Sequence, residues 1–435
     1  MENQEKLEKF MNRNIKLYPT MLSLMWDVLF VWTISTLFFT TQKGLTYSQV
    51  VMLDSFLMLF GCLLSIPLNQ LFRKVNSIVA TRVGVCGYAI YLLICIFGKN
   101  YAMFVFAQVF LSSGYIICGL RGNDLIVDSL SLVKKDNHYE KIYGRGLSLY
   151  YTFEAVGAVA ITYVFNWNPY AAYWISLSVV VLAFVFTFLF KEPRKFQQQN
   201  VSIDAKQPNS NKKNPDSYFR VLKSGFFICL LVYMFFMRGV LSISVSNFKI
   251  YLQQSINAGI IPLWAFGYFV AVAKLGSAIS SRIQFKFNMK YGVKSLISFS
   301  GGILITFYLN GIIYLIAPHA VWSFVIIAII SILQAAILPP CRIFVNNYMQ
   351  VCMSKKNINK GYTIRTLVEY LGYSAISAMY AALLGGFGDN YGLTSVVYIS
   401  ILAIPIVVST IMFIRVLIKK HTEKFTIIKD EYVND

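Results

Sequence analysis

Charge is scarce in this chain. Only 13% of its 435 residues are Asp, Glu, Lys or Arg, about half the share of a soluble domain, so a water-soluble globular protein is excluded. Histidine is scarcer. The three present, His138, His319 and His421, lie outside the apolar runs. With no H-E-x-x-H spacing and no paired carboxylates, a membrane-embedded enzyme lacks its working residues, and neither a metal nor a cofactor is expected. The seven cysteines (Cys62, Cys86, Cys95, Cys118, Cys229, Cys341, Cys352) stand singly in or beside apolar runs. They form neither a disulfide framework nor a zinc spacing, and they read as small apolar packing residues. The polar start "MENQEKLEKFMNRN" lacks a short apolar core with a cleavage site, so the first apolar run is expected to be retained. Ten-residue alternating units are missing too, which excludes a barrel.

What the chain has is apolar length. Hydrophobic residues make up 57% of it. Runs near 20 residues, enough to cross a bilayer as helices, are expected at 18–39, 50–68, 77–97, 101–132, 144–166, 169–190, 224–247, 261–283, 295–316, 320–341, 361–385 and 392–414. The prediction is an all-α polytopic membrane protein of about twelve transmembrane helices. The formal charge of +20 follows the loops. Basic residues fall on the N-terminal segment and on alternate loops, such as Arg73 and Lys74, Lys134 and Lys135, and Lys355 and Lys356, whereas the opposite loops offer little beyond Lys43, Lys99 and Lys249. This positive-inside pattern places both termini in the cytoplasm. The basic balance reports topology and a lipid bilayer as partner, not nucleic acid.

One long polar stretch, "KEPRKFQQQNVSIDAKQPNSNKKNPDSYFR" from Lys191 to Arg220, reads as a linker. It divides the helices six and six. The expected organisation is a cytoplasmic segment 1–17, a six-helix half 18–190, a linker 191–223, a second six-helix half 224–418 and a tail 419–435. Each half repeats a plan of helix, polar loop, helix and basic loop. The loop "SIPLNQLFRK" and the stretch "SSGYIICGLRGNDLIVDSL…YEKIYGRG" carry a resemblance to the major facilitator superfamily. The first keeps Arg73 and Lys74 of the family's G-x-x-x-D-R-x-G-R-R loop but has Ser65 and Phe72 for glycines and Asn69 for the acid. The second is similar to a bacterial branch with an S-G-x-x-x-A-x-x-x-D-S-L pattern. The arginine expected near Phe110 is missing, and "EAVGAVA" replaces the G-P-x-x-G-G run of proton-driven drug antiporters. The resemblance implies two six-helix halves around a central cavity, a small-molecule substrate, a monomer and the cytoplasmic membrane.

Within the spans stand Asp27, Arg121, Glu154, Arg238, Lys274 and Glu369. Each charge costs roughly 2.5–3.5 kcal/mol near the bilayer centre, so each needs a partner or a wet cavity. The family fold would put all six on helices that line the cavity. Asp27 is expected either to bind substrate or proton or to pair with Arg121. Glu154 and Lys274 would be ligands or bridge the halves, Arg238 would take an anionic group, and Glu369 would neutralise Lys274 or carry protons. Trp26, Trp32 and Tyr233 are aromatic-wall candidates, with plain packing the alternative. The substrate cavity is therefore assigned to Asp27, Arg121, Arg238, Lys274, Trp26 and Tyr233, and proton coupling to Asp27, Glu154 or Glu369. By the resemblance, Asp128 would bond Arg73 as a cytoplasmic gate, while Asp124 stays unassigned.

The expected function is secondary transport by alternating access. Buried carboxylates suit proton coupling. Three central cations suggest an anionic, zwitterionic or amphipathic compound, and the resemblance suggests export. The alternatives are proton-coupled uptake of a sugar, peptide or organic acid, and a lipid transporter or receptor on the same scaffold.

Overall fold

The computed structural model describes residues 2–135, 138–193, 225–291, 294–318, 320–352 and 358–421. Most of the expected linker, from residue 194, and of the tail, from residue 422, lies outside them. The described residues form helices and no strand. In chain order the helices are α1 (Glu2–Met25), α2 (Val31–Thr41), α3 (Tyr47–Phe72), α4 (Ser77–Phe97), α5 (Tyr101–Leu132), α6 (Tyr139–Trp167) and α7 (Pro169–Phe186). They continue as α8 (Gly225–Asn257), α9 (Ala265–Tyr291), α10 (Ser295–Ile316), α11 (Val321–Cys352), α12 (Ile358–Gly386) and α13 (Tyr391–His421). Nine of the described helices are long and apolar enough to cross a membrane, and Val31–Thr41, Ala265–Ser280 and Val321–Ile337 are shorter apolar stretches. Together they follow the order of the twelve expected spans.

The first span departs from expectation. In place of one helix over 18–39, α1 begins at Glu2, stops at Met25 and resumes as α2 at Val31. No glycine or proline marks this break. Instead Asp27 turns its carboxylate onto the next backbone N–H, Val28 N to Oδ1 at 2.6 Å, as short acidic side chains do where they leave a helix. Three residues later Phe30 adopts φ 73°, the left-handed region that is costly for a bulky side chain.

Packing divides the chain into two compact units. One comprises Met1–Gly44 with Phe56–Asn214, the other Leu45–Ser55 with Pro215–Asp435. In the first, α1 packs against α5 and α6, and α4 packs against α5 and α7. Asn168 caps α7 by accepting from Tyr170 N at 3.0 Å, with Pro169 at the first helical position. The residues just before the linker are anchored as well. Asn14 brackets Lys191, donating to its carbonyl at 2.7 Å and accepting from its N–H at 3.1 Å. Buried Glu192 accepts from Ile78 N at 3.0 Å, at the start of α4. Lys43 donates to the carbonyls of Ile96 and Gly98 at 2.8 and 3.0 Å, among the rings of Phe38, Phe104 and Tyr170. Its positive charge therefore sits at the negative end of α4.

In the second unit α8 is central, packing on α11, α12 and α13, while α9 lies on α11 and α10 on α13. Helices α8 and α12 cross where a Cβ on Gly372 would strike the backbone of Phe235, the close approach that small residues allow between membrane helices. The first turns of α3 belong to this unit, which the sequence division at the linker does not anticipate. Ser48 and Ser55 donate to the α12 carbonyls of Ala381 (2.7 Å) and Ser374 (2.8 Å).

Candidate functional site

The break in the first span builds a polar cluster inside the first unit. Four donors converge on Asp27. Val28 N, Trp32 Nε1 (2.5 Å) and the Tyr115 hydroxyl reach Oδ1, and the Tyr150 hydroxyl reaches Oδ2 at 3.3 Å. Trp32 Nε1 also donates to the Tyr115 oxygen at 2.7 Å. The rings extend outward from there. Trp26 meets Tyr143 edge-on at 6.1 Å and Tyr150 at 6.3 Å, and Tyr143 stacks on Tyr139 at 5.6 Å. Asp27 and Trp26 are half-buried.

Glu154 fixes the break from α6. Buried to 1% exposure, it accepts from Phe30 N at 3.2 Å through Oε1. That N–H opens α2, and a carboxylate is favoured at the positive end of a helix. One turn further, Gly157 leaves the space that the Phe30 ring fills: a Cβ there would lie 3.3 Å from Cζ and much closer to Cε1 and Cδ1. Glu154 and Gly157 thus hold both the backbone and the ring of Phe30.

Arg121 does not join Asp27. Its guanidinium pairs with Asp124 at 2.5 Å and donates to the Asn69 carbonyl at 3.3 Å. It is therefore level with the Phe72 end of α3. Thirty-two residues make α5 about 48 Å long, longer than a hydrocarbon core of about 30 Å. Asp124 thereby acquires a role, and Asp128 follows half-buried one turn on, with Arg73 exposed just beyond α3. Arg82 donates to Thr187 Oγ1 at 2.9 Å and lies 3.8 Å from the Phe188 ring centre.

In the second unit Glu369 is paired with Arg365 at 2.7 Å along α12, both side chains almost fully buried, and not with Lys274. Lys274 and Arg238 are half-buried on α9 and α8. The charges of Arg238 and Glu369 both reach Cys341 on α11. Tyr233, expected as cavity wall, is fully enclosed: it stacks on Phe413 at 5.3 Å with its hydroxyl 3.6 Å from Cys341 Sγ. It is a packing residue. Lys249, assigned to a loop from sequence, is buried in α8 because that helix continues to Asn257. Its charge reaches Asp54, which accepts from Ser246 Oγ at 2.9 Å. Among the described residues no three His, Cys, Asp or Glu converge to hold a metal.

Sequence reasoning missed Tyr115, Tyr150, Phe30, Gly157, Arg365 and Asp54. Two signals were present. Tyr150, Glu154 and Gly157 recur at helical spacing on one face of α6, and Arg365 stands four residues before Glu369.

A sequence model of the Major Facilitator Superfamily matches residues 135–377, more than half of the chain. No curated protein matches it significantly. Among solved structures, the nucleoside transporter NupG is similar with a TM-score of 0.71 at 13% identity, covering 92% of this chain and 99% of that one. The D-xylose-proton symporter gives 0.66 at 11%, covering 93% and 97%. A bacterial homologue of the human lysosomal transporter Spinster, solved inward-facing and unoccupied, gives 0.60 at 14%, covering 93% and 95%. At these identities the likeness is one of fold.

Proposed function

Because the chain belongs to the Major Facilitator Superfamily, we propose that it is a secondary active transporter of the cytoplasmic membrane, with both termini inside, that exchanges protons for a small solute. The observation that carries this reading is the broken first span, with the half-buried Asp27 carboxylate at the break among Trp32, Tyr115 and Tyr150. Transporters place solute and coupling-ion sites at interrupted helices, where backbone groups and side chains are freed from the helix ladder. Asp27 takes the solute and the proton in turn, Trp26 forms the adjoining wall, and Glu154 positions the break. In the second unit Arg238 and Lys274 are half-buried cations, and the Arg365–Glu369 pair is structural. Asp128 and Arg73 form the cytoplasmic gate. The protein works as a monomer.

Export is the direction we assign, on the strength of the aromatic surround, which suits amphipathic compounds. A second reading, proton symport of a polar nutrient, draws on the fold likeness to a nucleoside transporter and a xylose–proton symporter and on the phenols at Asp27. Membrane vesicles of both orientations separate the two. Under export, everted vesicles with an acidic interior accumulate the solute. Under uptake, right-side-out vesicles in acidic medium accumulate it. Solute movement that follows sodium and ignores pH in both preparations would refute proton coupling.

A further inference from the structure

We propose that the first unit receives a positively charged nitrogen or phosphonium group, so that the transported solute is an organic cation held by the Asp27 carboxylate and the rings of Trp26, Tyr143 and Tyr150. This rests on the reading that Asp27 binds solute. Three features point to it. The first is the company of the carboxylate. Oδ1 accepts from Val28 N, Trp32 Nε1 and the Tyr115 hydroxyl, and Oδ2 accepts from the Tyr150 hydroxyl at 3.3 Å. Trp26, half-buried beside it, meets Tyr143 and Tyr150. A carboxylate bordered by aromatic faces recognises an organic cation through charge and ring quadrupole together. The unit already holds an ammonium by related chemistry, with Lys43 Nζ 5.1–5.8 Å from three ring centres.

The second feature is the sign of the local field. Asp27 and Glu154 both act electrostatically on Tyr150, so an anionic solute would meet two carboxylates here. The third is the engagement of Arg121. The guanidinium expected to favour an anion is bound to Asp124 and the Asn69 carbonyl, six residues or about 9 Å along α5 from Tyr115. A proton arriving on the Asp27 carboxylate as the cation leaves keeps the charge of the site constant, which makes the two ligands mutually exclusive. The titratable groups facing Asp27 include Tyr115 on α5, with Tyr88 of α4 against its ring, and Tyr150 and Glu154 on α6.

The test is equilibrium binding of radiolabelled tetraphenylphosphonium to the detergent-purified full chain, with tetraphenylborate, of the same shape and opposite charge, and uridine as competitors. Saturable binding is expected that weakens as pH falls. Asp27→Asn should lower affinity about tenfold and Trp26→Ala about threefold, and neither competitor should displace the probe. Absence of tetraphenylphosphonium binding overturns the cation inference. If tetraphenylborate or uridine binds instead and Asp27→Asn abolishes that binding, the solute class is wrong while the Asp27 reading stands. If tetraphenylphosphonium binds and monodisperse Asp27→Asn and Trp26→Ala proteins bind it as wild type does, both fail. Should Asp27→Asn aggregate, Trp26→Ala and the tetraphenylborate competition decide.

Discussion

Gly157→Ala is the smallest change that attacks the break directly. The new methyl group would lie inside the volume of the Phe30 ring, 3.3 Å from Cζ and closer still to two other ring carbons. The ring must move, and with it a residue already at φ 73°. Overpacking of this kind costs about 1–3 kcal/mol. Displacing Phe30 also endangers the charge-assisted bond from its N–H to Glu154, 3.2 Å long in a site 1% exposed, which is worth about 1.5–3 kcal/mol. The variant should therefore lose about 2.5–6 kcal/mol. At about 2–4 °C per kcal/mol that is a fall of about 5–24 °C in melting midpoint, readable by tryptophan fluorescence of the purified protein. Phe30→Ala removes the ring and loses packing of its own. The double variant should nevertheless be more stable than the sum of the two single losses, because without the ring there is no clash; a coupling of about 1–3 kcal/mol is expected. A Gly157→Ala protein that melts and transports like wild type, or a double variant showing the plain sum, would refute the claim that Gly157 and Phe30 lock the break.

Three further outcomes follow from the same geometry. Glu369→Gln leaves Arg365 charged and buried, which should cost about 3–5 kcal/mol, whereas Arg365→Met with Glu369→Leu should melt close to wild type; a thermally silent Glu369→Gln would remove the structural role of the pair. Asp128→Arg should impair transport with expression nearly intact, and adding Arg73→Asp should restore part of it; independent, additive defects in a transport assay would exclude the gate pair. Burial raises the carboxyl of Asp389, between α12 and α13, outweighing the backbone hydrogen bonds of Ser48 and Tyr47 that lower it. The folded protein therefore binds that proton more tightly than the unfolded chain, and wild type gains stability as pH falls through the folded value until it passes the ordinary value of 3.8. Asp389→Asn should accordingly be the more stable protein at neutral pH and lose that advantage in acid; a pH-independent difference in melting midpoint would contradict the assignment.

The spans were legible because about twenty consecutive apolar residues have few alternatives to a membrane helix. The break was not. Helix breaks are usually announced by glycine or proline, and "MWDVLF" contains neither. What interrupts the helix is a carboxylate that competes for its own backbone and a glutamate more than a hundred residues away that receives the freed N–H of Phe30. Only folding brings them together. Asp27 and Glu154 could be singled out as expensive charges, but the solute-facing role proposed for Asp27 and the hold of Glu154 on the break depend on that meeting. Arg121 shows the opposite failure. Asp27 was the partner the sequence offered for it, but folding gives it Asp124, three residues on, and the Asn69 carbonyl of α3. Lys249 was misplaced because the helix carrying it extends past the expected end of its span. The partner of Glu369 was readable four residues upstream. Arg365 near a span end simply drew no attention beside the mid-span charges.

The central claim is that Asp27, at the break in the first span, couples protons to solute. Proteoliposomes enclosing a pH-reporting dye test it most directly, challenged in turn with ethidium, uridine, D-xylose and salicylate across wild-type and Asp27→Asn protein. At least one solute should drive a proton flux in wild-type vesicles, and Asp27→Asn should abolish that flux while the protein remains monodisperse and inserted. A solute-driven proton flux of equal size in Asp27→Asn vesicles would contradict the account.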